Sequence, residues 1–178
     1  EDWIKTDLER SGLSTNNFPV IPLGSETELT KHIGFTTINN TSIMGVGGYF
    51  IPYPLIEGFC RLKLRYPIGD AKYLTPKGSP NYPYISKEIY NAVREYNPDV
   101  LIIFTEGEKK AAKAINEGFI AIGLAGVWCF KNSDNDFLPQ LDDLNLIYRK
   151  CPIAFDSDVI KKHNVRRAEL RLAVNLIN

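Results

Sequence analysis

A short apolar run that ends in an acid and turns at glycine is the feature of this sequence that most constrains its fold. The apolar residues 101–104 lead directly into Thr-Glu-Gly-Glu at 105–108. This pattern predicts a buried strand that delivers a carboxylate just before a helix begins. Further along, residues 153–158 repeat the arrangement as Ile-Ala-Phe-Asp-Ser-Asp. Two such strands predict an α/β sheet that carries acids along its carboxyl edge.

The second half of the chain alternates between helical and strand-like patterns. Helices are predicted over residues 86–96, 109–117, 138–148 and 165–177. Strands are predicted over residues 100–104, 119–124 and 152–155. Because strands separated by helices form parallel sheets with right-handed crossovers, this half is expected to adopt a Rossmann-like α/β fold with flanking helices.

The first half has a different character, and the chain is expected to divide into three segments. Residues 1–45 predict a short helical N-terminal segment, residues 46–95 a basic β-rich subdomain, and residues 96–178 the α/β domain. Within the middle segment, residues 67–83 are rich in Gly, Pro and Tyr, which predicts a loop.

A strict alternation over residues 59–66 predicts a half-buried basic strand. Its polar face would carry Arg61, Lys63 and Arg65, with Tyr66 on the apolar side. Cations about 7 Å apart along a strand can follow a nucleic-acid backbone without reading its sequence. Tyr73, in the predicted loop that follows, could stack on a base and so extend the candidate nucleic-acid or nucleotide site. The alternative is a solvated sheet face with packing tyrosines.

Three acids are expected to converge at the carboxyl edge of the predicted parallel sheet. Glu106 ends one strand, and Asp156 and Asp158 follow another. Mg²⁺ prefers a few carboxylates together with water and phosphate oxygens, so these acids form a candidate metal site for Mg²⁺ or Mn²⁺. Lys109, on the helix that follows, could neutralise phosphate or simply lie on a solvated helix face.

Structural roles for the same acids also fit the sequence. Thr105 and Glu108 have the spacing of a capping box, in which Thr105 would be the N-cap of the following helix. Asp156 and Asp158 could instead cap the last helix or form an Asx turn.

Composition narrows the classes of function. The formal net charge is zero, so any nucleic-acid binding must come from a local basic patch. The three cysteines are widely separated, which favours free, buried thiols in a reducing cytoplasm over a disulfide framework. No apolar run is long enough to cross a membrane. The first residue is Glu1, so we expect the sequence to be a fragment of a longer protein.

The motifs at the strand ends resemble the Toprim domain of bacterial-type primases, topoisomerases and certain nucleases. The resemblance rests on Glu-Gly at 106–107, Gly-Leu-Ala-Gly at 123–126 and Asp-Ser-Asp at 156–158. It implies that Glu106 acts as a general acid or base, and that Asp156 and Asp158 hold magnesium.

The sequences of these motifs are most similar to an uncharacterised Toprim-like branch. This branch is found in replication proteins of plasmids, phages and mobile elements, often ahead of a helicase. The similar sequences include Thr-Glu-Gly-Glu-Lys-Lys-Ala at 105–111, Gly-Val-Trp-Cys-Phe at 126–130 and Asp-Leu-x-x-Ser-Gly-Leu-Ser at 7–14. Residues 46–85 also resemble the basic β subdomain that precedes the Toprim domain in primases, where a basic strand is followed by a Lys-Tyr-Leu loop. This resemblance implies that Lys72 and Tyr73, in Lys-Tyr-Leu at 72–74, belong to the nucleic-acid or nucleotide site. One departure is Lys110, at a position where bacterial primases carry another acid.

Three functions follow from the resemblance. The first is a primase-like nucleotidyltransferase that uses a divalent metal, nucleoside triphosphates and a DNA or RNA single strand, with a fused or associated helicase as a further partner. The second is a Toprim nuclease with water as the attacking group. The third is a non-catalytic module that binds nucleic acid or a helicase. All three are expected in the cytoplasm, without a membrane.

Overall fold

The computed structural model describes residues 2–95, 99–144, 146, 148–157 and 162–177. These residues form two compact units, an N-terminal unit (Glu1–Ser79) and a C-terminal unit (Pro80–Asn178). In the described part of the chain, no helix combines the length and the apolar character needed to cross a bilayer.

The N-terminal unit is built on a four-stranded antiparallel sheet. Its elements, in chain order, are α1 (Asp2–Glu9), β1 (Ile21–Pro22), α2 (Glu26–Ile33), β2 (Thr37–Ile38), β3 (Thr41–Ser42), α3 (Ile43–Val46), β4 (Gly48–Pro52), β5 (Cys60–Ile68) and β6 (Ala71–Leu74). The sheet has the strand order β1-β4-β5-β6, and β2 pairs with β3 as a separate hairpin. Helix α2 packs its buried face, Leu29 and Ile33, against the apolar face of β5.

Side-chain hydrogen bonds fix two helices of this unit, α2 at its N-terminus and α1 against the sheet. Ser25 and Glu28 form a capping box at the start of α2, with each side chain accepting a hydrogen bond from the other's backbone N–H. Helix α1 buries Ile4 and is held to the sheet by the Tyr49 hydroxyl, which donates to Asp7 Oδ2 at 2.7 Å. The N-terminal helix is therefore fixed by a specific polar contact as well as by packing.

The predicted basic strand exists as β5, but its alternation stops before its end. The pairing register between β5 and β6 shifts between Lys63 and Ile68, which marks a bulge or irregularity. Tyr66, expected on the apolar side, is 59% exposed. The prediction for Tyr66 was wrong because the shifted register ends the strict alternation of faces on which it depended.

The loop predicted over residues 67–83 contains a strand and is corrected in part. Gly69 adopts a φ of +58° in a tight turn, and β6 then pairs back onto β5. Lys72 and Tyr73 therefore lie on a paired strand. The Gly-Pro-rich composition hid a strand of four residues, which is too short to give a clear period.

The C-terminal unit is a mixed α/β structure, as predicted. Its elements are α4 (Lys87–Arg94), β7 (Ile102–Glu106), α5 (Glu108–Asn116), β8 (Ile120–Leu124), α6 (Pro139–Asp142), β9 (Ile153–Ala154) and α7 (His163–Ile177). Strands β8, β7 and β9 form a parallel three-stranded sheet in that order. Parallel pairing with flanking helices is compatible with a Rossmann-like fold.

Helix α6 is much shorter than the predicted helix over residues 138–148. The backbone N–H of Leu144 bonds to Leu141 at three-residue spacing, so the helix tightens and ends there. Tyr148 then takes a φ of +63°, which a helix does not permit. Arg149 follows and turns inward, where its Nη2 donates to the carbonyls of Val93 and Glu95 at 2.8 and 2.9 Å. It thereby satisfies carbonyl groups at the end of α4.

The three cysteines are free thiols. Cys60 lies in the core of the N-terminal unit, where burial raises its pKa to about 11. Burial also raises the pKa of Cys151, against a smaller opposing effect of Arg149. Cys129 and Cys151 are only half-buried, so the expectation of fully buried thiols holds for Cys60 alone.

Candidate functional site at the carboxyl edge of the parallel sheet

Glu106 is the last residue of the central strand β7 and pairs with Leu124, the last residue of β8. The next residue, Gly107, has a φ of +87° and is the N-cap of α5. Side chains other than glycine are strained in this conformation, so a glycine is needed where the chain leaves the strand. The half-buried Glu106 side chain is thus fixed at the carboxyl end of the sheet.

A second glycine lets α5 and its turn approach the sheet closely. A Cβ atom on Gly123 of β8 would lie 2.9 Å from the carbonyl oxygen of Gly107 and 3.0 Å from the Cβ of Ala111. The Gly107 N–H donates to the Leu124 carbonyl at 2.6 Å. Close packing at Gly123 therefore positions the turn that follows Glu106.

Asp156 lies at the same edge of the sheet as Glu106. In the parallel pairing of β7 with β9, Thr105 is opposite Ala154, so both strands run out at this edge. Asp156 follows two residues after Ala154 and is exposed. The structure thus brings two of the three predicted acids to one edge. The third, Asp158, lies outside the described residues.

Lys110 of α5 forms an ion pair with Asp156. Both side chains are about half exposed, at 46% and 55%. From the sequence, Lys110 was noted only as a departure from the primase pattern, and its contact with Asp156 was not predicted. The pairing joins residues 46 positions apart, so no local spacing could have indicated it.

Glu108 is a buried carboxylate just behind this edge, with only 2% of its surface exposed. The capping box predicted for Thr105 and Glu108 is wrong. The N-cap is Gly107, without a side-chain hydrogen bond, and the Thr105 hydroxyl instead donates to the Gly107 carbonyl at 3.5 Å. Burial, and then the charge of Glu108, raise the pKa of the neighbouring Tyr84 to about 12, so this phenol stays protonated at neutral pH.

The oxygen donors at the edge suit a hard divalent cation such as Mg²⁺ or Mn²⁺. Glu106 and Asp156 are carboxylates that share the edge, and the ammonium group of Lys110 already balances the charge of Asp156. Within the described ranges, no group of three or more His, Cys, Asp or Glu side chains has the arrangement of a metal site. The two described carboxylates fit such an ion in donor chemistry, and Lys110 is the group with which an ion would compete for Asp156.

Lys109 lies half-buried in the first turn of α5, between Glu108 and Lys110. One turn further along the same helix, Lys113 pairs with Glu117. Lys110 of α5 thus pairs with a residue that is distant in the sequence, whereas Lys113 pairs with a residue four positions further along the chain.

The predicted basic strand belongs to the N-terminal unit, where Tyr73 brings two of its cations together. The Arg61 guanidinium lies 5.2 Å and the Lys63 ammonium 5.3 Å from the centre of the Tyr73 ring. Arg61 is only 8% exposed, and its Nε donates to the Thr75 hydroxyl at 3.2 Å. Arg61 therefore orients Tyr73 and has little surface left for a phosphate.

The outer end of the same strand is more accessible. Arg65 is exposed, and its guanidinium lies 5.8 Å from the Trp3 ring centre and 5.3 Å from that of Tyr66. Lys72 on β6 is exposed as well. Trp3 and Tyr66 were not among the predicted site residues. Tyr66 follows Arg65 directly in the sequence, which is a local signal that could have been used, whereas the contact with Trp3 joins residues far apart in the chain.

Residues 90–178 match the model of a family described as Domain of unknown function (DUF3854). No curated protein matches the chain, and neither does any solved structure. The matched segment includes all of β7, α5, β8 and β9, and with them both described acids of the carboxyl edge. Since the match covers half of the sequence, the chain belongs to the DUF3854 family.

Proposed function

We propose that the C-terminal unit is a Toprim-type domain and that the chain is a primase-like catalytic core. It would carry out metal-dependent nucleotidyl transfer on nucleic acid during replication of a plasmid, phage or mobile element in the cytoplasm. The observation that carries the proposal is the parallel pairing of β7 with β9, because it puts Glu106 and Asp156 at one sheet edge. Acids following two separate strands at that edge are what the resemblance to the Toprim motif requires.

Each residue of the edge has a role in this proposal. Asp156, together with Asp158, would hold a divalent ion, which neutralises phosphate charge and orients the phosphate oxygens. Glu106 would accept the proton of the attacking hydroxyl group as the new phosphodiester bond forms and pyrophosphate leaves. The buried Glu108 and the turn at Gly107 would keep Glu106 oriented.

The cations of the N-terminal unit would bind the template or the primer. Arg65 and Lys72 are exposed, Lys63 is half-buried, and Tyr73 could stack on a base. The buried Arg61 would act by orienting Tyr73. In the C-terminal unit, Lys109 would lie close enough to the edge to neutralise a triphosphate.

A test compares synthesis with cleavage on the same single-stranded template. Wild-type protein is given nucleoside triphosphates with Mg²⁺ or Mn²⁺, and labelled primers are separated by electrophoresis. Glu106→Gln and Asp156→Asn should each lower primer synthesis by about 100-fold or more. Glu117→Gln is the matched control, because Glu117 is an exposed acid at the C-cap of α5, and it should retain activity.

The outcomes separate the candidate functions. Cleavage of the template in place of synthesis, with the same dependence on Glu106 and Asp156, would favour the nuclease. If neither substitution changes activity or metal binding, the edge is not catalytic. The ion pair between Lys110 and Asp156 favours a binding module as the second candidate, because it satisfies the carboxylate without a metal.

A further inference from the structure

The C-terminal unit carries a second charged feature, outside the acids of the carboxyl edge. It is a groove of about 430 Å³ between the segment after β8 and the outer face of α7. The groove, here called the basic groove, is lined by Trp128, Lys131, Arg167, Leu170, Arg171 and Val174. Three of these residues are cations, three are apolar, and no acid is among the described lining residues.

One wall of the basic groove is held in place by hydrogen bonds and packing. The Trp128 indole N–H donates to Asn164 Oδ1 at 3.1 Å, and the ring lies 6.1 Å from that of the fully buried Phe130. The Lys131 ammonium lies 4.8 Å from the centre of the Trp128 ring. The Lys131 carbonyl accepts from Asn81 Nδ2 at 2.9 Å, which fixes the backbone beneath this lysine. An aromatic ring and a cation are therefore presented side by side.

The other wall is the face of α7 opposite to its buried residues. Leu170 and Val174 are 59% and 46% exposed, although both are apolar. Arg167 and Arg171 are one helical turn apart, or about 6 Å along the axis. Neither guanidinium makes an ion pair with a described residue. Among the described residues, the wall thus combines positive charge that is not in an ion pair with apolar surface that faces solvent.

We propose that the basic groove binds single-stranded nucleic acid. Trp128 would stack on a base, the aliphatic side chains would cover the edges of base and sugar, and Arg167 and Arg171 would contact successive phosphates. Sequence-tolerant binding of single strands uses this combination of a stacking platform and a cationic track. The planar guanidinium fork also suits phosphate better than a point charge does.

The position of the basic groove supports a strand as its occupant. Trp128 lies shortly after the end of β8, and its hydrogen bond to Asn164 ties it to the first turn of α7. The wall that carries Trp128 therefore begins near the carboxyl edge, and a strand in the groove would start close to that edge. Binding in the groove requires no catalysis, so this inference goes beyond the proposed activity and is tested apart from it.

The test uses the fluorescence of Trp128 as a local probe. The chain has two tryptophans, so Trp3→Phe in the full chain leaves Trp128 as the only one. Titration with an oligothymidylate strand should quench this fluorescence to saturation. The double substitution Arg167→Ala/Arg171→Ala should weaken the affinity by about tenfold or more, and added salt should weaken it further.

Arg166→Ala is the matched control, because Arg166 is an exposed neighbour on α7 that does not line the groove. It should change the affinity by no more than about twofold. Anisotropy of a labelled strand measures binding independently of quenching, and circular dichroism checks that each variant is folded. Asp156→Asn should keep the quenching, so a failure of the proposed catalysis leaves this result intact.

Several results would overturn the proposal. They are an absence of both quenching and anisotropy change, equal losses for Arg166→Ala and the double variant, or tighter binding of polyglutamate than of the strand. Quenching by free ATP alone would overturn it too, because the occupant would then be a nucleotide. Saturable quenching by the strand that depends on Arg167 and Arg171 supports it.

Discussion

The two units carry their charged groups at different places on their strands. In the N-terminal unit, Arg61 and Lys63 lie along the side of β5, between two pairing strands, and contact the ring of Tyr73. In the C-terminal unit, Glu106 and Asp156 lie at or beyond the ends of β7 and β9. A side chain in the middle of a paired strand is fixed by the strands on either side. The direction of a side chain at the end of a strand depends on the turn that follows.

This difference determines how each charge is balanced. Along β5, burial falls from Arg61 to Arg65, and both guanidinium groups lie close to aromatic rings. At the sheet edge, the ammonium group of Lys110 balances Asp156 directly. The side of a strand thus supports a fixed cationic surface, while the end of a strand leaves a carboxylate whose partner can be exchanged.

The largest effects are expected at the two glycines that let each region pack closely. A Cβ on Gly48 would lie 2.5 Å from the Lys63 carbonyl oxygen, against 2.9 Å between a Cβ on Gly123 and the Gly107 oxygen. Gly48→Ala should therefore lower the free energy of unfolding by about 3 kcal/mol and Gly123→Ala by about 1–2 kcal/mol. Urea unfolding followed by circular dichroism measures both.

The control for this pair is Gly45→Ala, because the nearest atom to a Cβ there is the Ser42 Cβ at 3.9 Å. Gly45 is in α3, where alanine should not destabilise. If Gly123→Ala lowers the free energy of unfolding more than Gly48→Ala does, the backbone at the carboxyl edge adapts less easily than that of the antiparallel sheet. That result would contradict the expected order.

A smaller effect separates the two ends of the basic strand. Arg61→Ala should cost about 1–2 kcal/mol of stability, because it removes a hydrogen bond to Thr75 and the packing on Tyr73. Arg65→Ala should cost about 0.5 kcal/mol or less but should weaken binding of a single strand more than Arg61→Ala does. Unfolding and fluorescence anisotropy should therefore rank the two variants in opposite order. The same rank in both assays would contradict the division into an orienting and a contacting arginine.

The smallest expected effect is at Lys110. Lys110→Ala should change stability by less than about 0.5 kcal/mol, because both partners of its ion pair are half exposed. It should raise the affinity for Mn²⁺ by about fivefold, since a competing charge close to a carboxylate in water is worth about 1 kcal/mol. Lys113→Ala, which breaks a pair within α5, should leave the metal affinity unchanged. Calorimetric titration measures both; weaker binding by Lys110→Ala would mean that the lysine assists the ion.

Local patterns in the sequence predicted the elements that position the carboxyl edge. The apolar run before Glu106 became β7, and the glycine after it ended the strand, because both depend on neighbouring residues alone. The predicted boundaries of β7 were displaced by two residues, since apolar residues before the strand do not reveal where pairing begins. Parallel pairing followed from the alternation of strands and helices.

Contacts between distant residues could not be predicted in the same way. The register shift that exposes Tyr66 depends on how β5 pairs with β6. The Lys110 ion pair depends on where the chain runs after β9, and the groove beside Trp128 depends on how α7 packs. Each arises from tertiary packing, on which the spacing of residues along the chain carries no information.

The contact between Tyr49 and Asp7 has a consequence for Arg65 at the outer end of the basic strand. It fastens α1 to the sheet, and α1 also supplies the Trp3 ring on which Arg65 lies. Removing residues 1–9 would take an acceptor from the fully buried Tyr49 and one of the two rings from Arg65. We therefore expect a chain without these residues to lose the contact that fixes α1 and to hold the Arg65 guanidinium less firmly.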